Sequence, residues 1–137
     1  MSRALAAAAA AAASLAAGCG GVTAADLFLV TRSGATPHAH LTLLVNEEGV
    51  VHCNGGAPLK LSDAQLVQAR AIQEEMHGAA TSNLALPANP GSVMSYAVRD
   101  EDGTVRFSDN SSRQPHALRQ LALFVLQVAQ QVCRLPE

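Results

Sequence analysis

The chain has 137 residues, nine of them Lys or Arg and eleven Asp or Glu, for a formal net charge of −2. Lys60 is its only lysine, so no basic stripe is present to neutralise a phosphate backbone, which argues against nucleic acid as a partner. Aromatic residues make up 3% and tryptophan is absent, leaving few stacking platforms for sugars or bases and requiring a core of Leu, Val, Ala and Met.

The N-terminus opens with Arg3, continues as an alanine-rich apolar run, and ends in Ser14-Leu15-Ala16-Ala17-Gly18-Cys19. A positive start, a short apolar stretch and small residues before a cleavage point are the marks of a secretory signal peptide. The run of about 15 residues is shorter than the roughly 20 that a bilayer core requires. Leu15-Ala16-Ala17-Gly18-Cys19 looks like a bacterial lipobox, with Leu15 one place earlier than usual. The expectation is therefore a signal peptide over 1–18, a lipidated Cys19 with a tether over 19–25, and one domain over 26–137. This would be a membrane-anchored lipoprotein of the cell envelope; the alternative is plain secretion. If Cys19 carries lipid, Cys53 and Cys133 remain as one pair in an oxidising compartment and are expected to form a disulfide. Closing a loop of about 80 residues contributes roughly 4 to 5 kcal/mol on the chain-entropy model.

Asp26 is followed by Leu27-Phe28-Leu29-Val30-Thr31-Arg32, an apolar and β-branched strand ended by Ser33-Gly34. Leu41, Leu43 and Val45 alternate with Thr42 and Leu44; Asn46-Glu47-Glu48-Gly49 turns the chain, and Val50-Val51-His52-Cys53 returns as a hairpin. Asn54-Gly55-Gly56 and Pro58 then break the sheet. Ser62-Asp63-Ala64-Gln65 is a capping box that opens a helix. Leu66, Ala69, Ile72 and Met76 form its apolar stripe, and Gly78 is the expected stop. A breaker-rich connector, Leu86-Pro87 and Asn89-Pro90-Gly91, leads to a second hairpin, Met94 to Arg99 and Thr104 to Phe107, turned by Asp100-Glu101-Asp102-Gly103. Pro115 fits the first turn of a last helix, with Ser111 or Ser112 near its cap. Leu118, Leu121, Ala122, Val125, Ala129 and Val132 are its stripe. Leu123, Phe124 and Leu126 make its middle apolar almost all round, so it should be the most buried element, with Cys133 in its last turn. The order βββαββα predicts an α+β fold, an antiparallel sheet with both helices packed on one face.

Chemistry-bearing clusters are sparse. His38 and His40 can share a face of an extended segment, but no HExxH motif, CxxC pair or nearby carboxylate completes a metal set, so no metal or other cofactor is expected. His52 and Cys53 are neighbours on a strand and point to opposite faces, which is poor geometry for an activated thiol. Asp100, Glu101 and Asp102 lack the alternate-ligand pattern of a calcium loop. Asn110-Ser111-Ser112 is a formal glycosylation sequon only. No set of acid, base and nucleophile converges, so the chain reads as a non-enzyme.

From Thr31 onward the order of features resembles the emfourin-type inhibitors of thermolysin-like (protealysin-type) metalloproteases. The likeness rests on Thr31-Arg32-Ser33-Gly34, Leu61-Ser62-Asp63, Leu86-Pro87, Tyr96, Asp102-Gly103, Pro115 and Leu118-Arg119-Gln120-Leu121. The chain departs from that pattern in having Gly34-Ala35 for a glycine pair and Asn83 and Leu84 for paired aromatics. A weaker likeness to secreted subtilisin inhibitors runs through Leu27 to Val30, the strand reaching Cys53, and Ser92-Val93-Met94, with Ser95 where that family needs a cysteine. The resemblance implies a protein-binding domain, with an exported protease as candidate partner and Arg32-Ser33-Gly34-Ala35-Thr36-Pro37 as candidate loop. The alternative is an accessory envelope lipoprotein that docks through an apolar sheet face carrying Phe28, Val30, Leu44 and Ala97.

Overall fold

A computed structural model describes residues 25–136 of the chain; Cys19 and the proposed cleavage point lie outside them. The fold is α+β. Strands β1 (Asp26–Gly34), β2 (Leu41–Asn46), β3 (Val50–Cys53) and β4 (Leu59–Lys60) precede helix α1 (Asp63–Thr81), and β5 (Met94–Arg99) and β6 (Thr104–Ser108) precede α2 (His116–Gln131). All six strands form one antiparallel sheet in the order β4-β3-β2-β1-β5-β6, with β1 central. The breaker segment after Cys53 thus interrupts the sheet without ending it. Asn54 and Gly55 turn with φ of 52° and 69°, and β4 rejoins alongside β3 as a short edge.

The expected apolar open face is corrected by β1. Phe28, Val30 and Arg32 point to the helix-covered side, while Thr31 faces solvent. Both parities of this strand are apolar, so alternation alone does not choose a face. A register shift between Asp26 and Phe28 further allows the consecutive Leu27 and Phe28 both to be buried, at 2% and 1% exposure. The open face carries Leu29, Thr31, Leu44, Ala97, Arg99 and Arg106, a mixed surface rather than an apolar one.

Both helices share one core with the opposite face. Phe28 meets Phe124 edge-on, with ring centroids 6.1 Å apart, and Tyr96 stacks on its cross-strand neighbour Phe107 at 4.8 Å. Helix α1 begins with the expected capping box, Gln65 N–H donating to Ser62 Oγ and Ser62 N–H to Gln65 Oε1. It runs past Gly78 to Thr81 because its C-terminal turn is closed by Asn83. With φ 49°, Asn83 allows its own amide to reach Ala80 O and the Leu84 amide to reach Ala79 O, which is the Schellman pairing.

Helix α2 starts at His116 with Pro115 as its N-cap, one position earlier than the first-turn assignment. Ser111 takes no part in the cap; its hydroxyl accepts from the Ser108 amide. Its apolar girth is only partly buried: Leu118, Leu121, Phe124, Val125 and Val128 are fully inside, but Leu123 and Leu126 stay 46% and 45% exposed. Cys133 lies just beyond the helix and bonds Cys53 at the end of β3, with a Cα separation of 5.9 Å.

Candidate functional site

Strand β1 joins two unlike ends of the molecule. At its start, Ala25 O accepts from Glu47 N–H, and Asp26 pairs with Asn46, so the chain emerges beside the β2–β3 turn. The β5–β6 turn, Asp100 to Gly103, lies at the same end, and Asp26, Asp100 and Glu101 line one shallow depression there together with Arg99. With Glu47, Glu48 and Asp102 the carboxylates at this end outnumber its arginines, Arg70 and Arg99. Helix α1 crosses it: Arg70 donates to Glu47 O at 2.6 Å, Gln73 to Leu27 O at 3.3 Å, and His77 Nδ1 lies 2.8 Å from Asp102 Oδ2. The hydrogen bond to Asp102 and the charge of that carboxylate raise the His77 pKa above 6.5, with Asp100 and Glu101 adding to the effect.

Nine residues of strand, about 27 Å at the usual rise, lead to the other end. There residues 35–40 join β1 to β2. The structure places the six candidate loop residues in two groups. Arg32, Ser33 and Gly34 belong to β1, and Arg32 is only 6% exposed; Ala35, Thr36 and Pro37 are exposed, together with His38 and His40. Arg32 therefore cannot present its side chain to a partner across the loop tip. It turns back under the loop instead, Nε donating to Ala39 O at 2.8 Å and Nη2 to His38 O at 3.4 Å.

Two further contacts fix the same loop. Ala39 is fully buried and its amide donates to Thr36 O at 3.1 Å, while Ala35 N–H donates to Val93 O at 3.3 Å. Gly34 lies so close to β5 that a Cβ there would stand 2.4 Å from Val93 O and 2.9 Å from both Ala39 Cβ and Met94 Sδ. The glycine is required by close approach, and the loop is a pre-organised feature on rigid strands.

Beside the loop, a groove of about 330 Å³ opens between it and the end of α2. It is lined by Arg32 and His38, by Met94 of β5, and by Leu126, Ala129, Gln130 and Leu135 of α2 and the segment after it. Sequence reading missed this groove. The signal for it was the second apolar side of α2, where Leu126 stands outside the core.

The remaining chemistry-bearing residues are engaged structurally. Ser108 Oγ contacts Ser92 Oγ and donates to Asp109 Oδ1 at 2.9 Å, and Ser92 donates to the same oxygen at 2.8 Å. Burial acts to raise the Asp109 carboxyl, but the Ser92 and Ser108 hydroxyls and the amides of Val93 and Met94 together outweigh it, so its pKa falls below 3.8. His52 is held on Gly56 O at 2.8 Å, and His116 lies 3.1 Å from Glu75. Asn110 spends its side-chain amide on Asn89 O and Pro90 O, at 3.0 and 3.2 Å, which occupies the atom a glycan would need. Among the described residues no three His, Cys, Asp or Glu side chains are grouped to hold a metal ion, and no helix is long and apolar enough to cross a membrane.

Comparison with protein-family models, with curated proteins and with solved structures found no match to this chain.

Proposed function

We propose that this chain is a non-enzymatic, exported lipoprotein whose domain binds a protein partner through the end carrying residues 35–40. The observation that supports the reading best is the bracing of an exposed loop by a buried arginine, Arg32 on Ala39 O, beneath Thr36, Pro37 and His38. A loop already fixed in one conformation loses little entropy on binding, so its contacts are converted into affinity more completely. With Cys19 lipidated, residues 20–25 reach at most about 20 Å from the bilayer. The acidic end then faces the membrane and the loop points away from it, toward other envelope proteins.

An exported protease is the candidate partner implied by the likeness to emfourin-type inhibitors. Titration of the purified protein against thermolysin-like and subtilisin-like proteases tests it. The reading expects peptide cleavage to slow at micromolar protein and to recover when Thr36 and Pro37 are both replaced by Gly. No slowing with either class removes the inhibitory role and leaves an accessory binding domain. The anchor is tested separately: Cys19→Ala should abolish lipid labelling and release a folded domain from the membrane, and retention of the label in that variant would overturn lipidation at Cys19.

A further inference from the structure

Arg32 is a cation placed where cations are costly. Its side chain is 94% buried in the sense that only 6% of the residue remains exposed, and a buried charge needs an opposite charge as well as hydrogen bonds. The carbonyls of Ala39 and His38 accept from it and orient the guanidinium without neutralising it, and the phenol of its cross-strand neighbour Tyr96 lies within reach of its charge. The ion pairs among the described residues, His77 with Asp102 and His116 with Glu75, are both elsewhere. The same side chain lines the 330 Å³ groove together with Met94, Leu126, Ala129, Leu135 and the polar Gln130.

We infer that this groove binds a carboxylate carried on a short apolar group, with Arg32 supplying the charge and the wall of α2 the apolar contact. Charge complementarity selects the anion. A planar guanidinium matches a carboxylate better than a spherical anion, because parallel N–H donors can meet both oxygens. The volume selects the rest: it lies at the lower limit of small-ligand sites and suits a branched group of a few carbons, not a long acyl chain. Such a ligand exists either as a free acid or as the last residue of a polypeptide with its α-carboxylate. The inference goes beyond the loop reading and does not rest on it, so a loop that binds no protease leaves it standing.

The test is an amide NMR titration of the intact chain with isocaproate, with isocaproamide, and with N-acetyl-Ala-Ala-Leu as the free acid and as the terminal amide. Both carboxylates should give saturable shifts at Thr36, His38, Leu126 and Leu135 and at the Arg32 Nε–H, and each amide should bind at least about tenfold more weakly. Isocaproate binding as tightly as the peptide acid identifies a free acid as sufficient, whereas peptide binding tenfold tighter identifies a chain end; either supports the site. Because Arg32→Gln removes a brace and can unfold the loop, the decisive variant is Leu126→Glu. At a half-exposed position it puts a fixed carboxylate in the wall, and it should lower the affinity for both acids at least about tenfold with the melting temperature unchanged. Equal binding of acids and amides, no saturable shift with either acid, or undiminished affinity in Leu126→Glu would overturn the assignment.

Discussion

The two ends of the sheet are held by different means. The turns of the end near Ala25 are closed by local devices, to which α1 adds the contacts of Arg70, Gln73 and His77. Asn46 Oδ1 accepts from the amides of Glu48 and Val50, Gly49 takes φ 79°, and Asp100 Oδ1 accepts from the amides of Asp102 and Gly103. Each turn is closed by a side chain at its own start. The loop end is held by ties from outside the loop tip. Cys53 is bonded to Cys133, Arg32 reaches seven residues to Ala39, and Ala35 is tied to Val93. Both ends carry ties to other elements; the difference is that the acidic turns are closed by their own side chains, whereas the loop is closed by the backbone turn from Thr36 to Ala39 and braced from beneath by Arg32. Thr36, Pro37 and His38 stay exposed above that brace.

The largest effect should come from cutting the longest tie. Cys53→Ser or Cys133→Ser should each lower stability by up to about 4 kcal/mol, and the double variant should resemble either single one, because the bond closes an 80-residue separation. Urea unfolding measures this, and a double variant much weaker than the singles would show that the cysteines act separately. The matching test at the acidic end is Gly103→Ala. A Cβ there would stand 2.2 Å from Ala80 O and 2.7 Å from Asn83 Oδ1, so the α1 C-terminus and the β5–β6 turn must separate. The expected loss is about 2 to 3 kcal/mol, with faster hydrogen exchange at Leu84 and Thr104.

Arg32→Met should cost about 2 kcal/mol, since two carbonyls lose a charged donor while a buried cation is removed. Its signature is local: exchange at Ala39 should accelerate and exchange in the β5–β6 turn should not. The smallest effect is electrostatic. The His77 pKa is raised by Asp102, so the protonated pair stabilises the fold fully below 6.5, and that contribution disappears as pH rises through the folded-state value above it. The melting temperature of the wild type should exceed that of His77→Ala at acidic pH and converge on it at alkaline pH.

Much of this layout can be read from the residues. Alternation in Leu41 to Val45, the capping box at Ser62 and the turn residues at Gly49 and Gly103 identify the hairpins and the start of α1, because each is a local chemical requirement. The pairing of Cys53 with Cys133 follows from counting cysteines, and the structure bears it out. Three features escape that kind of reading. The face of β1 is ambiguous because Leu27, Phe28, Leu29 and Val30 are all apolar, and the bulge lets neighbours share a side. The end of α1 is set by Asn83 in the left-handed region, where Gly78 was the more obvious stop. The burial of Arg32 depends on where the Ala39 carbonyl lies, and no spacing rule places it. That last feature is the one that moves the candidate loop from residues 32–37 to residues 35–40.

The claim that recognition belongs to the loop end is tested most directly by position-specific photo-crosslinking in the native envelope, with the reactive group at Thr36 in one strain and at Glu48 in another. Both positions are exposed, and they lie at opposite ends of the sheet. The account predicts a discrete protein adduct from position 36 and none from position 48. An adduct from position 48 alone, or the same adduct from both, would contradict it.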